Sequence, residues 1–131
     1  MKIIKTSELV NTRRQVRCPK GGFISHRILL ESDDMGYTLT ETHVPKGTPQ
    51  FWHYKNHLES CYCSSGRGIL IDATSEEEFL IEPGTTYVLD KNDPHYFMAI
   101  EDTVLICVFN PPLKGDEVHR PDGSYEGGSY E

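Results

Sequence analysis

The chain has no apolar run close to the roughly 18 residues a membrane-spanning helix requires. Its opening, MKIIKTSELV, holds no apolar stretch of signal-peptide length. It has no basic run able to track a phosphate backbone: 13 lysines and arginines stand against 20 aspartates and glutamates, a net charge of -7. The expectation is therefore a protein that uses neither nucleic acid nor membrane. Sustained 3.6-residue periodicity is missing too, as are internal repeats and any linker that would divide the chain. At 131 residues the reading is one domain over 1–131, large enough to bury a core. Cysteine is sparse. Of Cys18, Cys61, Cys63 and Cys107, two stand one residue apart and cannot easily pair with each other. Reduced thiols and a cytoplasmic location are expected.

What the sequence does have is strand punctuation. Eight to ten short apolar or β-branched runs alternate with Gly, Pro and Asp turns, the pattern of an all-β sandwich or barrel. Ile3-Ile4 reads as a short strand, followed by a one-turn helix capped by Thr6 or Ser7. FISHRILL, 23–30, places Phe23, Ser25, Arg27 and Leu29 on one face, where an arginine is unusual. YTLTETHV, 37–44, puts Thr38, Thr40 and Thr42 on one face. Further strands are read at 68–73, 79–81, 85–89, 95–100 and 104–109. The last of these stops at Asn110-Pro111-Pro112, and residues 113–131 read as a flexible polar tail.

One stretch concentrates the chemistry. GTPQFWHYKNHLESCYCSSG, 47–66, brings His53, Tyr54, Lys55, His57 and Glu59 within seven residues and then reaches Cys61 and Cys63. If 53–63 is extended, His53, Lys55, His57, Glu59, Cys61 and Cys63 share one face. Any single histidine there is explained by a half-solvated strand. So dense a set of ligand types points to a metal or acid–base site. The two thiols read as small buried apolar groups rather than metal ligands.

The spacings also carry a resemblance. Gly47, His53, Glu59 and Gly66 follow the first cupin motif, with Lys55 in place of its second histidine, and Pro83-Gly84-Thr85-Thr86-Tyr87 resembles the end of the second, with Tyr87 in the histidine position. The longer strings RILLESDDMGY, WHYKNHLES, PGTTYVLDKNDPH and CVFNPP, followed by Glu117-Val118-His119, resemble the ectoine synthase family. That resemblance implies an all-β, cupin-type double-sheet jelly roll, and a cytoplasmic homodimer. Its implied activity is closure of N-γ-acetyl-L-2,4-diaminobutyrate to the compatible solute ectoine with loss of water. It also implies a metal, iron(II) first, with zinc, manganese or cobalt accepted by the same ligand types.

Position by position, the resemblance places metal ligands at Glu59, Tyr87 and His95. It places substrate contacts at Phe23 (where the family usually has tryptophan), Arg27, Thr42, Cys107 and Phe109, and the reacting groups at Tyr54, His57, Glu117 and His119. The tail would close as a lid. Two other readings stand beside it: an iron dioxygenase built on His53, His57, Glu59 and His95, and a non-catalytic cupin that binds a small molecule.

Overall fold

The computed structural model describes residues 1–18, 21–47 and 49–115, together with two short strands at 118–119 and 125–126. A 3-10 turn, Thr6–Leu9, precedes the strands β1 (Gln15–Arg17), β2 (Ile24–Leu29), β3 (Thr38–Val44), β4 (Gln50–Trp52) and β5 (Leu58–Ser65). Then come β6 (Gly68–Asp72), β7 (Glu78–Ile81), β8 (Thr86–Leu89), β9 (His95–Ala99), β10 (Thr103–Asn110), β11 (Val118–His119) and β12 (Tyr125–Glu126). A second 3-10 turn, Glu31–Asp33, follows β2.

Two antiparallel sheets result, one in the order β1-β2-β3-β10-β5-β8 and one in the order β4-β9-β6-β7. The core between them draws on both: Cys61, Cys63, Leu105 and Cys107 from the first, Leu70, Ile81, Phe97 and Ala99 from the second. This is the cupin-type double-sheet architecture.

Alternation decides what faces inward. In β5, Glu59, Cys61 and Cys63 are buried while Leu58, Ser60 and Tyr62 face out. In β3, Thr38 and Thr40 are buried. Glycine is required at the β5–β6 turn: Gly66 has φ +80, and a Cβ there would overlap the Asp102 carbonyl.

Several expectations are corrected. Residues 53–63 are not one strand. The chain leaves the smaller sheet after Trp52, turns at 55–56, and enters the larger sheet at Leu58. Lys55 is exposed on that turn and His53 is half-buried, so only His57 onward joins the inward face. Ile3-Ile4 is not a strand, because no described strand pairs with it. The first 3-10 turn is capped at Lys5, whose N–H donates to Glu8 Oε1 at 3.1 Å. The tail does not come free at Pro111-Pro112. Leu113 is fully buried; its N–H donates to Thr38 Oγ1 (2.7 Å) and its carbonyl accepts from the same hydroxyl (3.4 Å). Beyond it, β11 and β12 pair with each other.

Candidate active site

Register builds the site. Across the larger sheet, Tyr87 on β8 pairs with Cys61 on β5, Cys61 with Cys107 on β10, Cys107 with Thr40 on β3, and Thr40 with Arg27 on β2. All five face the interior and are buried. The adjacent row sets Glu59 between Leu89 and Phe109. Opposite this surface the smaller sheet supplies Trp52 and His95, themselves partners across β4 and β9. Between the sheets lies a narrow cavity of about 20 Å³ lined by Phe23, Thr40, Thr42, Trp52, Tyr54, Glu59, Cys61, Tyr87, Leu105, Cys107 and Phe109. A wider cleft of about 420 Å³ lies between β8 and the β6–β7 pair and shares Tyr87 and His95 with the interior.

The electrostatics of the interior are those of ionisable groups taken out of water. Burial pushes the Glu59 carboxyl up to about 8, partly offset by hydrogen bonds with the Cys61 and Cys107 thiols. Burial likewise pushes the Tyr87 phenol well above its ordinary value, helped by Cys61 and Glu59. His95, 1% exposed, is held below its ordinary value by the same cause. Burial thus holds all three neutral, and Glu59 and Tyr87 ionise together only if a cation joins them.

Whether the residues suit a metal is testable on His95. Its Nδ1 lies 2.9 Å from the Asp93 carbonyl, which fixes the proton on that nitrogen and leaves the lone pair on Nε2. Nε2 is buried and has no hydrogen-bond partner among the described residues. A neutral imidazole oriented by a backbone carbonyl is the usual form of a metal-binding histidine. With a carboxylate and a phenol also buried beside the cavity, the donor chemistry fits a divalent metal. A second donor grouping overlaps it: ligand atoms of Glu59, Cys61 and Cys107 lie within 4.8 Å of one another.

Most of the residues singled out from the sequence converge here. Tyr87 and His95 approach with ring centroids 6.2 Å apart: although only a short turn separates them in sequence, β8 and β9 belong to different sheets, and the contact spans the interior. Tyr54 stands between His95 (6.2 Å) and Phe109 (5.4 Å), and His57 packs edge-on against Phe109 (6.2 Å). Phe23 packs edge-on against Trp52 at 5.8 Å. Thr42 is partly buried beside Ser25 and Thr40. Arg27, 1% exposed, faces inward and donates from Nη1 to the Gly115 carbonyl at 3.0 Å. His53 does not line the cavity; its ring lies edge-on to Phe51. Glu117 lies outside the described residues, as does the side chain of His119.

Comparison with known proteins decides the family. The sequence model described as "Ectoine synthase" matches residues 1–129. The chain belongs to the ectoine synthase family. It is 49% identical over 124 residues to an L-ectoine synthase of Wolinella succinogenes, covering 94% of this chain and 95% of that one. It is 44% identical to another from Teredinibacter turnerae, over 92% and 91% of the two chains. The crystal structure of ectoine synthase from P. lautus superposes with a TM-score of 0.85 at 37% identity, covering 94% of this chain and 87% of the other. A putative ethanolamine utilization protein of Salmonella typhimurium, at 14% identity and TM-score 0.64, shares the fold alone.

In this member of the ectoine synthase family, reading the sequence missed Trp52, Thr40, Leu105 and Asn92. Trp52 stacks on Phe97 at 6.0 Å beside the cavity, and its place in WHYKNHLES was the available signal. Asn92 donates from Nδ2 to the carbonyls of Tyr54 (3.0 Å) and His57 (3.1 Å). The two central cysteines, read together, part company. The Cys63 thiol donates to the Ser65 carbonyl at 3.4 Å, whereas Cys61 joins the Glu59–Cys107 grouping.

Proposed function

We propose that this chain is an L-ectoine synthase that closes N-γ-acetyl-L-2,4-diaminobutyrate into ectoine, making a compatible solute for cells under osmotic stress. It would act as a cytoplasmic homodimer. The carrying observation is the membership of the ectoine synthase family over 1–129, with 49% identity to an enzyme of that name. The buried Glu59, Tyr87 and lone-paired His95 support it.

In this reaction the α-amine forms a C–N bond to the acetamide carbonyl carbon. The carbonyl oxygen leaves as water, taking the two protons the amine gives up. Arg27, a buried guanidinium at the far end of the row from Tyr87, would hold the substrate carboxylate. Phe23, Thr42, Cys107 and Phe109 shape the cavity and exclude water. Tyr54 and His57 position the acetamide, folding a flexible chain so that its two ends meet. Glu117 and His119 take protons from the amine and return them to the departing oxygen. Glu59, Tyr87 and His95 would hold the metal, iron(II) first, with zinc, manganese or cobalt also suited. When bound, the metal supplies Lewis acidity to an otherwise unreactive amide.

A cavity of about 20 Å³ has room for little more than one water-sized group, so substrate entry requires the mouth to open. The tail is the proposed moving part. Arg27 grips the Gly115 carbonyl, two residues before Glu117, so the proton-carrying segment starts at the substrate anchor. Truncation after Gly115 should abolish turnover while leaving the melting temperature and metal content nearly unchanged. A truncated protein that turns over normally would remove the lid.

The function is tested by incubating purified, iron-loaded protein with the acetylated diaminobutyrate and following ectoine by NMR. Stoichiometric ectoine without oxygen uptake is expected. Oxygen consumption coupled to turnover would favour a dioxygenase instead, and an inert protein would overturn the assignment.

A further inference from the structure

The outer face of the larger sheet carries a second grouping of donors, on strands whose inner face lines the cavity. His26 on β2 stands opposite Glu41 on β3 in the ladder, and His43 lies two residues beyond Glu41 on the same face. We propose that His26, Glu41 and His43 form a second metal site, for a divalent ion of the zinc, nickel or copper(II) class, that ties β2 to β3.

Geometry comes first. One ligand atom from each residue lies within 4.8 Å of the other two. His43 Nε2 is 2.8 Å from Glu41 Oε1, and His26 Nδ1 is 4.0 Å from the same oxygen. Metal–ligand bonds of about 2.0–2.2 Å set neighbouring donors roughly 3–3.5 Å apart, so small side-chain adjustments close the triad. The two rings meet edge-on at 5.6 Å. Two imidazoles and a carboxylate are a borderline donor set, suited to late first-row divalent ions.

The second observation is His26 itself. Its side chain is 9% exposed, and its Nδ1, aimed at Glu41, is buried with no hydrogen-bond partner among the described residues. An exposed His43–Glu41 pair alone would be an ordinary surface contact of little consequence. It does not explain a buried imidazole presenting an unpaired nitrogen to the same carboxylate. Burial, then the neighbouring His43, keeps His26 below its ordinary pKa, which favours the neutral form a metal takes.

The other nitrogen, Nε2, lies 3.0 Å from Gln15 Nε2, while Gln15 Oε1 accepts from the Asn11 N–H at 3.0 Å. For Nδ1 to ligate, Nε2 must carry the proton; a half-turn of the Gln15 amide then releases the exposed Asn11 N–H to water and gives Nε2 an oxygen to donate to. That would be the orienting partner a ligating histidine needs. Arg17 opposes a cation here, since it also lowers the pKa of His26. The Glu41 carboxylate and the net charge of -7 work the other way. His43, 45% exposed, leaves a side of the site open to water.

The test uses iron-loaded enzyme titrated with zinc(II) by calorimetry, with metal analysis after desalting. Wild type and His95→Ala should each bind one zinc per chain that His43→Gln binds at least about 100-fold more weakly. His43→Gln should still cyclise substrate at the wild-type rate. Because His43 is half exposed, its replacement should not compromise folding, unlike that of His26. Equal zinc binding by wild type and His43→Gln would overturn the proposal. So would loss of the extra zinc in His95→Ala but not in His43→Gln, which would assign the ion to the interior.

Discussion

The two faces of the larger sheet use the same residue types to different effect. Inside, Glu59 lies between Leu89 and Phe109 with hydrogen bonds to the Cys61 and Cys107 thiols, and burial raises its pKa to about 8. Outside, Glu41 is bonded to His43 at 2.8 Å with its side chain a quarter exposed. A carboxyl in water ionises without help, whereas one buried beside a phenol and an imidazole needs a cation to do so. Chemistry therefore follows from which face a residue takes, and strand alternation settles that one residue at a time.

The sharpest way to break this comparison is to remove inner donors. Glu59→Gln and His95→Ala should each lower bound metal and ectoine formation by at least about 100-fold, the upper end of what losing even an outer-shell partner costs. Full metal content by mass spectrometry in both variants would strip the inner face of its special status.

Acidity gives the next test. In metal-stripped protein the folded-state pKa of Glu59 lies at about 8, against an ordinary 4.5. The native state then keeps a proton that the unfolded chain releases between those values. Its contribution to stability is complete below about pH 4.5 and is lost as pH rises through about 8. The melting temperature of chelator-treated wild type, measured relative to Glu59→Gln, should fall from pH 5 to pH 8. A flat difference would mean Glu59 is not desolvated.

A smaller effect separates anchored from solvated positions. Thr38→Val leaves the buried Leu113 N–H without its acceptor and should cost about 1–3 kcal/mol in urea unfolding. Val108→Thr, exposed on the outer face, should stay within about 0.5 kcal/mol. The smallest effect is expected at Cys61→Ala: metal stoichiometry should not change if Glu59, Tyr87 and His95 hold the ion as proposed. Loss of metal there would make the thiol grouping the true site.

Much of the inner face was legible because alternation needs no partner. Once 57–63 is extended, His57, Glu59, Cys61 and Cys63 must point the same way. The corner at 53–57 was not legible, because the sequence does not mark where a strand passes from one sheet to the other. For the same reason the short spacing between Tyr87 and His95 does not reveal that they meet across the interior. The outer grouping was half legible. Glu41 and His43 show the spacing of same-face residues, but His26 joins them only through the β2–β3 register, which shifts between Arg27 and Leu29.

Asn92 has a consequence for evolution and engineering. Its one amide holds two carbonyls of the 53–57 corner while sitting, at φ 53, in the turn between Tyr87 and His95. The corner that joins β4 to β5 and the turn that joins β8 to β9 are thus fastened to each other through this amide. An insertion in either loop would strain both, so altering loop length disturbs two walls of the cavity at once where a side-chain substitution disturbs one.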